Sequence, residues 1–332
     1  MTLSEAAKMI LVVGATGQLG AAVVRKLAER GTPVRAVART TSSYQHLERE
    51  GVELAFGDLR DAASLFAACE NVETVIATAN AAVPRQSTDT FKAVDGQGYL
   101  NLIEACKRQG VCQFVYASAP VTPMDHQIPL LRQKRLTEKR LQESGLGYTI
   151  FRADAFMDVA FAMMGSDIPV RGSEVATVRR SFWFSSRFFN SVKDGMAKKG
   201  EVQIQGKGTA RRSFICIDDV AEFLVKSVGH PQARNAIFDL GGPQALSCNE
   251  VMTIFERVMG KPLTARRAPA FVFRIALSLL KPFSPAAADI MGINYLSATV
   301  DSVIDMEETA GTFGVKLTSA EEFLRGKMSL PA

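Results

Sequence analysis

Cysteine, histidine, tryptophan and long apolar runs are all scarce in this 332-residue chain, and each scarcity removes a class of function. Five cysteines, Cys69, Cys106, Cys112, Cys216 and Cys248, form no CxxC pair and are odd in number, which speaks for reduced, buried thiols rather than a disulfide framework. The three histidines, His46, His126 and His230, are scattered without metal-ligand spacing, so no metal is expected. No run of eighteen or more uncharged apolar residues is present, and the opening Met-Thr-Leu-Ser-Glu-Ala-Ala-Lys lacks the apolar core of a signal peptide. A cytoplasmic location without a transmembrane segment is therefore expected. No internal repeat or low-complexity segment stands out.

Hydrophobic residues make up 47% of the chain, enough to fill one large α/β domain or two smaller units. The formal charge of +5 is compatible with nucleic acid, yet basic residues are spread along the chain rather than gathered in a block. Residues 179–189 do interleave arginines with aromatics, as single-strand binding platforms do, but no matching binding module surrounds them. Nucleic acid is not expected as a partner; a cofactor carrying several phosphates is sufficient.

Such a cofactor has an evident seat. The run Met9-Ile-Leu-Val-Val-Gly14-Ala-Thr16-Gly17-Gln18-Leu19-Gly20 reads as a strand, a glycine turn and the start of a helix continued by Val23, Val24 and Leu27. Glycines at this spacing let the strand turn sharply, let the backbone approach a pyrophosphate, and let helix and strand pack closely. The helix then directs unpaired N–H groups and its positive dipole end at the phosphates.

Strand-like and helical runs alternate afterwards, with strands at 10–13, 34–38, 53–56, 74–77, 114–117 and 148–152. The pattern predicts a Rossmann-type α/β fold, a doubly wound parallel sheet with a smaller C-terminal substrate-facing part. A dinucleotide-binding domain over 1–156 is expected, rejoined by 213–242, with 157–212 and 243–332 facing the substrate. Within the latter, 200–208 reads as a glycine-rich turn and the chain from Cys248 as a helical tail.

Ligands in such sheets lie beyond the carboxyl ends of the strands. The second strand ends in Ala38-Arg39, where an NAD enzyme would place a carboxylate for the ribose hydroxyls. Arg39, with Arg35 nearby, would instead suit a 2′-phosphate and favours NADP(H); the alternative for Arg39 is a solvated surface arginine. The third strand ends in Gly57-Asp58-Leu59, where Asp58 could accept from the adenine amine, cap the helix beginning near Ala62, or both. The fourth runs into Thr78-Ala79-Asn80, small residues that admit the cofactor ribose, with Asn80 equally suited to a turn.

Gly14-Ala-Thr-Gly17-Gln-Leu-Gly20, Gly57-Asp58-Leu59, Tyr116-Ala-Ser118, Lys134 with Glu138, and the run from Ser144 through Gly145 to Arg152 together resemble the NmrA-like, atypical branch of the short-chain dehydrogenase/reductases. The resemblance is strong to about residue 155 and looser beyond, where Phe214-Ile-Cys-Ile-Asp218-Asp219 and Asp239-Leu-Gly241-Gly242 are similar to extended members. It implies that Gly14, Gly17, Gly20, Arg39 and Asp58 hold NADP(H), with Phe156 near the nicotinamide. It equally implies two kinds of role, reductase or non-catalytic redox sensor and assembly factor.

One departure decides how far that carries. The usual YxxxK helix of the wider superfamily supplies a proton-donating tyrosine, and counting back from Lys134 gives Leu130. Tyr148 and Arg152 have the spacing but fall on a strand. Lys134 can still bond the nicotinamide ribose and stabilise charge on an acceptor oxygen, or be a solvated helix lysine. Ser118 is either a substrate-bonding catalytic residue or simply a small residue at a crowded strand end. Asp125 and His126 offer a replacement proton donor or an ordinary loop. Met157, Phe161, Met163, Met164, Phe182, Trp183 and Phe184 either line an apolar pocket or form core. The apolar segment 271–283 is expected to cover the substrate cleft, with peripheral membrane contact as the alternative. The expected function is NADPH-dependent hydride transfer to a bulky apolar acceptor such as a quinone or conjugated carbonyl; the alternative is an NADP(H)-binding redox sensor or assembly factor acting on a protein partner. An epimerase is disfavoured because that chemistry needs the tyrosine.

Overall fold

Short runs of Val, Ile, Leu and Ala pair side by side because a parallel strand covered on both faces must be apolar on both. The computed structural model describes residues 9–49, 51–82, 84–178 and 195–331. Strands β1 (Met9–Val13), β2 (Val34–Ala38), β3 (Val52–Phe56), β4 (Val72–Ala77), β5 (Gln113–Ser118) and β6 (Gly147–Ala153) form one sheet with the strand Ala236–Leu240. The order is β3-β2-β1-β4-β5-β6, with Ala236–Leu240 outside β6, and every pairing is parallel. This is the Rossmann order, whose reversal between β1 and β4 opens a crevice at the strand ends.

The period of two along β1 feeds two cores. Ile10 and Val12 pack with Val23, Val24 and Leu27 of helix α1 (Gln18–Glu29) and with Phe223 of the helix Ile217–Lys226. Leu11 and Val13 pack on the other face with Leu65 of α2 (Ala62–Ala68), Leu102 of α3 (Tyr99–Gln109) and Leu141 of α4 (Pro129–Glu143). These four of the five β1 side chains are at most 3% exposed.

Beyond β6, a third cluster gathers Met157, Phe161 and Met164 around Phe214, Phe255 and Phe323. Here helix α5 (Met157–Met163) meets the remainder of the chain. The ring of Phe161 contacts those of Phe214, Phe255 and Phe323 at 5.1, 6.0 and 6.2 Å, so Phe161 is core. Phe182, Trp183 and Phe184 lie outside the described residues.

Three sequence expectations are corrected in this half. The glycine-rich turn at 200–208 contains a strand, Glu201–Gln205, with Val202 and Ile204 buried between Gly200 and Gly206 at positive φ. Its parallel partner is Thr264–Ala268, which interrupts the supposed helical tail. That second strand reads Thr-Ala-Arg-Arg-Ala and has no apolar alternation to announce it; its pairing partner makes it a strand. Finally, the helix Ala270–Leu280 does not bury its apolar face over the cleft. Only Leu277 is buried, and the cleft wall is the next helix, Pro285–Thr299.

Candidate functional site

The glycine turn after β1 is built for close backbone approach. Gly14 sits at φ +93°, and a Cβ there would stand 2.6 Å from the Ala79 backbone nitrogen. A Cβ on Gly20 would stand 2.2 Å from the Gly14 carbonyl oxygen, so α1 can pack against β1 only with glycine at that place. Gly17 is different: its Cβ would meet only Gly14 O, at 3.4 Å. Packing therefore does not demand glycine at 17, and what the missing side chain leaves open is a cleft of 560 Å³ that it lines. Helix α1 begins there with no acidic residue in its first turn, leaving its N–H groups and dipole free to meet an anion.

The cleft runs along the strand ends past Thr16, Gln18, Leu19, Arg39, Asp58, Leu59, Ala79 and Asn80 and on to Ser118, Lys134 and Phe156. The proposed cofactor residues thus share one continuous surface. Its fit to a dinucleotide phosphate rests on the open cradle at Gly17 and on two arginines of the lining, Arg39 and Arg85. Arg39 is held by the buried carboxylate of Asp89 at 2.7 Å. Arg85 reaches the glycine turn itself, donating to Thr16 O at 2.6 Å and to Thr16 Oγ1 at 3.2 Å. Arg60 bonds Asp58 at 2.5 Å and lies 3.6 Å from Asp89. Arg85 and Asp89 also line the cleft, and nothing in their sequence context announced them.

Several strand-end readings change. The cap of α2 is Asp61, which accepts from the Ala63 and Ser64 N–H groups, whereas Asp58 binds the Arg60 backbone and side chain. That hydrogen bond holds the Asp58 carboxyl below its ordinary pKa. Arg35 is not at the cofactor end; it bonds Glu53 and the carbonyls of Ala68 and Glu70. Asn80 accepts from Ala82 N–H at 3.1 Å, a turn bond, while lining the cleft. His126 is exposed, and the Asp125 carboxylate is engaged by Thr122 and Arg135, so neither is placed as a proton donor.

The far end of the cleft holds buried titratable groups. Lys134 is not a solvated helix lysine: it is 4% exposed, donates to Ala117 O at 2.7 Å, and lies 4.6 Å from the centre of the Tyr116 ring. Burial pulls its pKa down to about 8, against the opposing pull of Asp95 and Glu138. Asp95 is wholly buried on the π-helical turn Phe91–Gly98; one oxygen accepts from Ala81 N–H and the other has no hydrogen-bond partner. Burial pushes its pKa up to about 7, with Lys134 acting in the opposite sense.

Leu130, one turn before Lys134, also faces the cleft. Its backbone N–H is bonded, at 2.8 Å, by the carboxyl of Asp289 from the helix Pro285–Thr299. Asp289 is 2% exposed and lines the cleft; burial, opposed by the Leu130 N–H and helped by the charge of Asp95, raises its pKa to about 7. A carboxyl that holds its proton near neutrality thus stands beside the residue occupying the tyrosine position. The 159 residues between the two partners hid this pairing from sequence reasoning.

Ser118 lies at the edge of the same space, but its hydroxyl donates to Glu138 at 2.5 Å and receives Arg135 at 3.3 Å. Glu138 also binds Arg152 at 2.7 Å. Tyr148 and Arg152 are indeed strand residues, and Arg152 serves this buried network. Phe156 forms the N-cap of α5 and lines the cleft with Met163 and Met164. Among the described residues no group of three or more His, Cys, Asp or Glu could hold a metal ion.

Known proteins resemble this chain in sequence and fold. A photosystem II assembly factor from Cyanophora paradoxa is 26% identical over 80% of this chain and 74% of its own length. An NAD(P)H azoreductase from Xenophilus azovorans is 28% identical over 77% of this chain and 75% of its own length. Among solved structures, an NADPH-dependent quinone oxidoreductase from Escherichia coli superposes with a TM-score of 0.70 at 20% identity, covering 96% of this chain and 100% of that one. The NmrA-like family itself matches residues 6–324, and the chain belongs to it.

Proposed function

We propose that this protein is an NADPH-dependent oxidoreductase that delivers hydride to a bulky apolar acceptor, such as a quinone or conjugated carbonyl compound. The observation that carries the reading is the open space beside Lys134. The cleft does not end at the cofactor residues but continues past Lys134 to Phe156, Met163, Met164, Ile293 and Asp289. A protein that only sensed the cofactor would not need an apolar chamber with two proton-exchanging groups at that point.

Bound NADPH would supply the hydride. The glycine turn and the start of α1 would hold its pyrophosphate, and Arg39, beside Asp89, would meet its 2′-phosphate. Lys134, fixed by Ala117 O, places an ammonium where negative charge develops on the acceptor oxygen. Asp289, still protonated near neutral pH, gives up the proton that completes the two-electron reduction. Hydride plus one proton balances the conversion of a quinone to its hydroquinone. Ser118, whose proton is committed to Glu138, positions the strand end rather than donating.

The likeness to the azoreductase and the quinone oxidoreductase supports this reading. Likeness to the assembly factor favours a second one, in which bound NADP(H) regulates a contact with another protein. NADPH oxidation across quinones, azo dyes and conjugated carbonyls separates them. Turnover that falls at least tenfold in Lys134→Ala is expected; no turnover across the panel, with a partner complex responding to the cofactor's redox state, would establish the second reading.

A further inference from the structure

The helix Ala270–Leu280 presents its apolar face to solvent. Phe271, Val272, Ile275 and Leu279 are 63, 46, 53 and 66% exposed, and Phe283 just beyond is 86% exposed. Positions 271, 275 and 279 recur every four residues, so with Val272 they form one outward stripe. Leu277, on the opposite side, is the buried contact, packed with Ile128, Leu131 and Leu296. This exposure is therefore a property of one complete face rather than of scattered side chains, and such a face marks an interaction surface.

Charge says what kind of surface. Between Glu256 and Asp289 the chain has no acidic residue and six basic ones, Arg257, Lys261, Arg266, Arg267, Arg274 and Lys281. Arg274 and Lys281 flank the stripe on its helix and at its end, both exposed. Arg257 and Arg266 are paired to Glu321 and Glu201, so Arg274 and Lys281 are the cations beside the stripe. A short helix with an apolar face and such flanks has the chemistry of one lying in the plane of an anionic lipid surface. At 11 residues it is too short to cross a bilayer, and no helix among the described residues is long and apolar enough to do so.

We infer that this helix, with Phe283, seats the protein on anionic lipid. The neighbouring helix Pro285–Thr299 ties the seat to the cleft: its Ile290, Ile293, Asn294 and Ser297 line the chamber while it packs against the outward helix. Ile293 is itself 38% exposed, so apolar surface continues toward the chamber wall. Seated this way, the protein would take a lipophilic acceptor from the membrane rather than from water. The lipid seat itself depends on neither cofactor nor acceptor, so its failure leaves the reductase reading standing.

The full chain is sedimented with vesicles of phosphatidylcholine alone and of phosphatidylcholine mixed with phosphatidylglycerol. Binding to the mixed vesicles is expected, weakened by salt, with little binding to the neutral ones. The surface variant Phe271→Ser with Leu279→Ser should lose at least tenfold in partitioning while its circular dichroism and melting stay unchanged. Arg274→Glu with Lys281→Glu should lose binding to the mixed vesicles. The inference is overturned if wild type stays in the supernatant with both, if the apolar variant partitions like wild type, or if that variant instead converts a dimer to a monomer in light scattering, which would make the face a contact between copies.

Discussion

Replacing Asp289 with asparagine tests whether a neutral carboxyl stands in the chamber. The change keeps shape and leaves an oxygen to accept the Leu130 N–H, so packing is nearly untouched. What it removes is a group whose pKa is about 7 in the folded protein and near the ordinary ~4 when unfolded. Raised in this way, the carboxyl contributes stability that is whole below pH ~4 and is lost as pH climbs through about 7. From pH 5 to 8 the loss spans about two pH units at ~1.4 kcal/mol each, roughly 3 kcal/mol. Asparagine does not titrate, and Asp95 titrates in both proteins and largely cancels. The variant should therefore gain about 3 kcal/mol on wild type between pH 5 and pH 8, read from urea unfolding at each pH. An identical stability difference at both pH values would mean the carboxyl is ionised throughout, and Asp289 could not be the proton source.

Other substitutions probe the rest of the site. Gly20→Ala forces a Cβ onto the Gly14 carbonyl; an overpacking cost of about 1–3 kcal/mol and a severe loss of NADPH binding are expected by thermal melting and fluorescence titration. Arg39→Ala should weaken NADPH roughly tenfold or more while leaving NADH nearly unchanged; equal weakening of both would place the 2′-phosphate elsewhere. Asp154 accepts from Arg212 Nε at 3.0 Å and Ser213 N–H at 3.1 Å, joining the end of β6 to the C-terminal part. Asp154→Ala leaves the Arg212 guanidinium buried and unpaired, and should cost about 3–5 kcal/mol in urea unfolding.

The sheet was legible because its central strands carry short apolar runs, Ile10-Leu11-Val12-Val13 above all, bounded by turn residues and alternating with helical stretches. The glycine turn was legible from its local spacing, since Gly20 answers a clash with Gly14 six residues away, although the neighbour that demands glycine at 14 is the distant Ala79. Local signal ended where pairing partners are distant. Thr264–Ala268 is a strand only because Glu201–Gln205 lies beside it. Asp89 had no reason to be noticed until Arg39, fifty residues earlier, was seen against it. Asp95 could have been suspected, as a lone carboxylate in the apolar turn Phe91–Gly98, though only the fold shows it sealed from water. The exposed helix misled for a physical reason: amphipathic pattern tells that a face will be covered, but not by what.

The bond between Leu130 and Asp289 also has a meaning in time. A ribosome adding about 5–20 residues per second needs on the order of ten to thirty seconds to travel the 159 residues between them. When that interval begins the glycine turn and Arg39 have already been made, while the wall that closes the chamber has not. The wall that carries Asp289 is thus among the last parts of the cleft to be made.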